Sequence, residues 1–272
     1  MKINVRSFIA ASIAAIALVA CASGHLDEIR RVQAVGIHFS PWDRTGAPDM
    51  TPHEPVTGGD VIHPDNAKLA QAFDARALLR EGETLARQRE YDQAIARFDE
   101  IDARFGQSDD PAIKRAVARA LFTKGNVMAW RGVPEEERNV ALDAALEVQN
   151  TLDRRFGKDG DPLINEQIAK SLSDKTAIYV RRRQPERAVS VANELERRFG
   201  AEDSPIFREA KLVALSNKGA ALGMQSRYGE AIAQFDELES RYGAENRPAM
   251  LELLDMARHA RKVVEGNRPQ TN

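Results

Sequence analysis

The stretch ELERRFGAEDSP, Glu194–Pro205, decides the fold, because its parts return along the chain. ARFGQSDDP begins at Ala103, RRFGKDGDP at Arg154 and SRYGAENRP at Ser240. The aromatic–glycine pairs fall at 105–106, 156–157, 199–200 and 242–243, at steps of 51, 43 and 43. Six residues after each aromatic stands a proline: Pro111, Pro162, Pro205 and Pro248. Nineteen after each stands a base, Lys124, Lys175, Lys218 and Arg261, and eleven before each an alanine, Ala94, Ala145, Ala188 and Ala231. Agreement in so many registers marks a repeat architecture. The longer step carries eight extra residues near Gly132–Asn139.

Local chemistry reads the motif as punctuation between helices. Arginines in a last turn complement the helix dipole, and a glycine just past the end is expected to close the helix in the left-handed conformation. The proline suits the first turn of the next helix, with Asp110, Asp161 and Ser204 before it as N-caps. Arg247 breaks the capping rule before Pro248. Between the marks, Tyr228, Ala231, Ile232, Phe235 and Leu238 step by three and four, the period of one helix face. Each unit is therefore expected to be a long helix, a short turn and a shorter helix. Four pairs follow, at 67–105, 111–156, 162–199 and 205–242, with a last helix from Pro248 to about Glu265 and a disordered tail at 266–272. Neither helix of a pair can bury its apolar face alone, so neighbours must stack.

Composition agrees and excludes. The chain has 272 residues, 29% charged, with a formal charge of −2, a balance that argues against nucleic acid as the main partner, since phosphate binding wants a concentrated basic surface. Four of the five histidines, His25, His38, His53 and His63, lie in one stretch at spacings that match no metal-ligand motif. No catalytic grouping, phosphate-cradling loop or cofactor motif is present in the sequence, so no enzyme, metal or cofactor is predicted. Glu135–Glu137 read as the acidic first turn of a helix.

The amino end gives an address. Lys2 and Arg6 precede the apolar run SFIAASIAAIALVA, the plan of a secretory signal over residues 1–20 and too short for a comfortable membrane span. Leu18-Val19-Ala20-Cys21 resembles the lipobox of bacterial lipoproteins, which implies cleavage before Cys21, the single cysteine, and its lipidation. Ala22 after it implies sorting to the outer membrane, facing the periplasm, in a Gram-negative host. Residues 21–66 then read as the lipidated cysteine and a Pro/Gly-rich tether spanning about 35–40 Å on average. Within it Val32–Phe39, VQAVGIHF, has enough β-branched and aromatic content to dock.

The helical units resemble the tetratricopeptide repeat. Gly82, Ala94 and Phe98 share the spacing of Gly219, Ala231 and Phe235, the small and aromatic positions at which that family's two helices meet. The unit here is lengthened to 43 residues; Thr176 replaces glycine, and Leu142 and Pro185 replace tyrosine. The resemblance covers about residues 67–265 and implies an all-α, right-handed α-solenoid of helix hairpins with a capping helix. It also implies a groove lined by first helices that holds a protein or peptide. Carried over by register, the partner-binding candidates are Arg76, Arg87, Phe122, Asn126, Trp130, Lys170 and Arg181. Of the family's carboxylate clamp only Asn126 fits, since Asp174 and Val213 occupy other clamp positions, so capture of a C-terminal carboxylate is not expected. The expected function is a membrane-anchored adaptor in the cell envelope; the alternative is a lipoprotein that takes a glycan or small molecule on the concave face.

Overall fold

A computed structural model describes residues 64–269, with side chains from residue 67. The segments expected to be a signal and a tether, with Cys21 and Val32–Phe39, lie outside the described residues, apart from the last three tether positions, 64–66. Nine α-helices and no strand make up the described part: α1 Pro64–Arg87, α2 Tyr91–Phe105, α3 Pro111–Trp130, α4 Glu135–Phe156, α5 Pro162–Arg181, α6 Pro185–Phe199, α7 Pro205–Met224, α8 Tyr228–Tyr242 and α9 Pro248–Gly266. Each helix packs on its chain neighbour, and α1, α3, α5, α7 and α9 also pack on one another in that order. Neighbours run in opposite directions: Arg97 pairs with Glu81 and Arg104 with Asp74 between α1 and α2, and Arg258 with Glu239 and Arg261 with Asp236 between α8 and α9.

Helical spacing decides what is buried. In α2 the covered residues are Ala94, Phe98, Ile101 and Phe105; in α6 they include Ala188, Ala192, Leu195 and Phe199. The aromatic of the recurring motif is thus the last core residue of its helix, and Phe105, Phe156, Phe199 and Tyr242 are all 4–6% exposed. Burial pushes the Tyr242 phenol up to about 12. Pro111, Pro162, Pro205 and Pro248 each open a helix. Asp110 accepts from the backbone N–H groups of Ala112 and Ile113, and Asp161 from those of Leu163 and Ile164.

Several local expectations are corrected. Ser204 sits at the N-cap of α7 but makes no capping bond, and its hydroxyl is buried without a partner among the described residues. The glycines after the aromatics are right-handed, with φ from −61° to −58°. Their small size is what matters: a Cβ at Gly106, Gly157 or Gly243 would collide with the carbonyl oxygen one turn back, and one at Gly200 would lie 2.5 Å from that of Glu196. The eight extra residues mostly lengthen α4, which spans 22 residues against 15 for α2, α6 and α8, so the second pair does not have the shorter second helix expected of it. Glu135–Glu137 do form its first turn.

Left-handed backbone occurs instead at Gly160 (φ 82°), three residues beyond Gly157, and at non-glycine residues in the turns inside pairs, Arg89 (φ 68°), Arg183 (φ 54°) and Ser226 (φ 60°). The Ser226 N–H donates to Gly223 O at 3.0 Å and the Arg227 N–H to Leu222 O at 3.0 Å, the paired bonds of a helix closed by one left-handed residue. A side chain is costly there. Ser226→Gly is therefore expected to stabilise the chain by about 0.5–1 kcal/mol, net of the extra freedom glycine has when unfolded. A urea midpoint equal to or below that of the unaltered chain contradicts this.

The arginine before each aromatic has a longer reach than the dipole argument gave it. Arg155 donates to Asp102 and to Gly106 O at 2.5 Å; Arg198 donates to Asp153 Oδ1 at 2.6 Å and to Gly157 O at 3.1 Å; Arg241 pairs with Glu196 at 3.0 Å. Each serves the helix end of the preceding pair, where the carbonyls left over by that helix need donors. At the third junction Lys211 Nζ takes the carbonyls of Gly200 and Glu202 instead. Three of the four bases nineteen residues after an aromatic also cross between pairs: Lys124 meets Asp99, Lys175 Nζ donates to Asn150 Oδ1 at 2.8 Å, and Arg261 pairs with Asp236 at 2.7 Å.

Candidate functional site

The row α1, α3, α5, α7 brings polar side chains from successive helices into contact. Arg119 of α3 donates to Glu83 Oε1 of α1 at 2.5 Å. Asn126 Nδ2 of α3 donates to Asp174 Oδ2 of α5 at 2.7 Å, with both residues buried. Asn217 Nδ2 of α7 donates to the Thr176 hydroxyl at 2.9 Å, which itself donates to Ser173 O at 2.6 Å. These bonds fix the spacing of neighbouring first helices inside a low-dielectric setting, where a satisfied network is rigid and a broken one costly.

The candidate residues separate into three situations. Arg76 and Arg87 of α1 are exposed, and Arg87 Nη2 donates to Thr84 Oγ1 at 2.9 Å. Trp130 is half-buried against the cluster of Ala129, Leu142, Ala145, Leu146 and Ile178, and the Arg181 guanidinium lies 5.4 Å from its ring centroid. Burial pulls the Arg181 pKa down, with Arg138 of the lengthened α4 adding in the same direction. Phe122, Asn126 and Lys170 are 4%, 8% and 5% exposed. They lie beneath the surface, so they shape the row rather than present their side chains to solvent. Lys170 Nζ stands 5.9 Å from the Phe122 ring centroid; desolvation lowers its pKa, and Glu166, Glu209 and Asp174 oppose that shift. Desolvation raises the Glu166 pKa against the pull of Lys170.

Arg181, Arg182 and Arg183 are not one basic patch. Arg181 covers Trp130, Arg182 pairs with Asp143 of α4, and Arg183 takes the left-handed turn position. Sequence reasoning missed Glu83, Asp174 and Asn217 as partners of Arg119, Asn126 and Thr176. Their signal was the register itself: Asp174 lies 48 residues after Asn126, and Asn217 lies 41 after Thr176.

Among the described residues no group of three or more His, Cys, Asp or Glu side chains is placed to hold a metal ion, and no helix is long and apolar enough to cross a membrane. No family model, curated protein or solved structure matches the chain.

Proposed function

We propose that the chain is a lipid-anchored, extracytoplasmic adaptor whose right-handed solenoid of tetratricopeptide-like helix hairpins binds a protein or peptide of the cell envelope. The observation that carries the reading is the serial packing of α1, α3, α5, α7 and α9, the last four each also touching the second helix before it, which supplies one continuous row of first helices. Contact with a partner falls to the groups within reach of solvent: Arg76, Arg87, and the stacked pair Trp130 and Arg181. Tryptophan and arginine supply much of the energy at protein interfaces, and here the indole is already ordered by its guanidinium neighbour. Phe122, Asn126 and Lys170 hold the row in shape from below. The Cys21 anchor and the tether set where and how far this surface reaches.

Two measurements test the reading separately. Cys21→Ala is expected to move the chain from the membrane fraction to the soluble exported fraction, because each buried lipid CH₂ contributes about 0.8 kcal/mol to anchoring; unchanged membrane attachment removes the anchor. Photo-crosslinkers at Arg76 and Arg87 in intact cells are expected to trap one discrete protein, and Trp130→Ala with Arg181→Ala to abolish that band. Capture that survives the double substitution places binding elsewhere. A melting temperature raised by purified cell-wall glycan fragments, with no protein trapped, makes the chain a glycan-binding lipoprotein instead.

A further inference from the structure

At the registers of Ala70 and Phe73, α1 is open where every later first helix is covered; the register of Leu69 is open again in α5, where Leu163 is 49% exposed. Phe73 is 53% exposed and Leu69, one turn before it, 57%. At the register of Phe73 stand Ala116, Gln167, Ala210 and Leu253, all buried. At the register of Ala70, itself exposed, stand Ile113, Ile164, Phe207 and Met250, all at 5% or less. What covers α3, α5, α7 and α9 is in each case the chain immediately upstream, since α2, α4, α6 and α8 pack on them. Asp74 and Glu81 on α1 are already engaged by Arg104 and Arg97, so the polar neighbours of the open strip are satisfied and the apolar residues are what remains.

We propose that Val32–Phe39 of the same chain docks on this strip, over Leu69, Ala70 and Phe73, and takes the place that an upstream helix holds at every other first helix. The chain enters at Pro64, at the same end of α1 as the strip. From Ser40 to His63 are 24 residues, rich in proline, glycine and charge, and VQAVGIHF is the concentrated apolar stretch between them and Arg30-Arg31. A coil of that length spans about 27 Å, enough to return along a helix that rises about 1.5 Å per residue. An eight-residue extended segment reaches about 26 Å and so covers the strip with length to spare. The terminal face of a stacked array needs a cover to stay soluble, and this chain carries one within reach. The inference is independent of the anchor and of the partner.

The test places the photo-crosslinker p-benzoyl-phenylalanine at position 73 of the full-length chain, at position 69 as a second site, and at Leu251 of α9 as a control. Irradiation and trypsin are expected to join the Leu69–Arg76 peptide to the Val32–Arg44 peptide, and the control is expected to give no such adduct. In a mixture of isotope-labelled and unlabelled chains both halves come from one copy. Ile37→Asp is expected to cut the yield about ten-fold, since an ionised carboxylate does not enter an apolar seat. Adducts of mixed isotope make the strip a contact between two copies and overturn the proposal. So does an adduct from neither site, or one that Ile37→Asp leaves unchanged.

Discussion

Ala192→Phe is expected to destabilise the chain by about 3 kcal/mol or more, and Thr176→Gly, costly by itself, to add nothing to that loss in the same molecule. The reason is a size rule written between the two helices of each pair. Gly82 faces Phe98, sixteen residues on, and a Cβ on it would lie 2.6 Å from the ring. Gly219 faces Phe235 at the same spacing, and its Cβ would lie 2.7 Å from the ring. In the second pair Gly125 faces Gln149, whose Cγ a Cβ would approach to 2.9 Å; the wider sequence spacing is the lengthened α4. In the third pair both sizes are reversed: Thr176 stands at the glycine register and Ala192 at the aromatic one, both fully buried. A phenylalanine at 192 with Thr176 in place has no room. Removing Thr176 opens the room but leaves the buried Asn217 amide without its acceptor, at a cost of about 1–3 kcal/mol, and puts a glycine inside a helix at about 1 kcal/mol. The double variant should then be no less stable than Ala192→Phe alone, with a coupling of about 3 kcal/mol in a denaturation cycle. Additive losses, within about 0.5 kcal/mol, would show that the two positions do not meet.

The same rule shows what a lone sequence gives away. Thr176 is a departure from a glycine register when read by itself; read against Ala192 it is the compensating half of a pair. Helix starts were legible because a proline and an aspartate act within three residues of themselves, as at Pro111 and Asp110. Failures came where a local argument met a non-local cause. Ser204 has the right residue type and register for a cap, yet its hydroxyl turns into the interior. Gly200 has the right position for a left-handed closure, but the chain keeps its right-handed turn and needs glycine to admit the Glu196 carbonyl. In the candidate site, Phe122 and Lys170 fall on the expected row but sink beneath it, where the two, 48 residues apart in sequence, lie against each other. Periodicity fixes which face of a helix a residue is on, and the neighbouring helix fixes how deep it lies.

Arg198→Met is expected to cost about 2–3 kcal/mol and to loosen the junction between the second and third pairs. The guanidinium is 16% exposed and carries three bonds, to Asp153 Oδ1 at 2.6 Å, Glu194 Oε1 at 3.2 Å and Gly157 O at 3.1 Å. It also lies 5.3 Å from the centroid of the Phe199 ring, where methionine keeps the packing and loses the charge. Charge-assisted bonds of this kind are worth about 1.5–3 kcal/mol, discounted here for the partly exposed carboxylates. Arg198→Lys should retain less than half the benefit, because a single ammonium cannot serve a carboxylate and a helix-end carbonyl in one planar fork. Arg154 supplies the contrast in the neighbouring turn: its pair with Glu147 is 61% and 65% exposed, and Arg154→Ala should cost under about 0.5 kcal/mol. Both arginines sit in the same last turn of equivalent helices, so the helix dipole treats them alike, and a dipole account predicts similar small losses for each. The inter-pair account predicts a large loss at 198 and a broader unfolding transition, since stability in serially packed units depends on the interfaces between neighbours. Equal effects at 154 and 198 in urea melts would return the recurring arginine to its local role and leave the junctions to apolar packing alone.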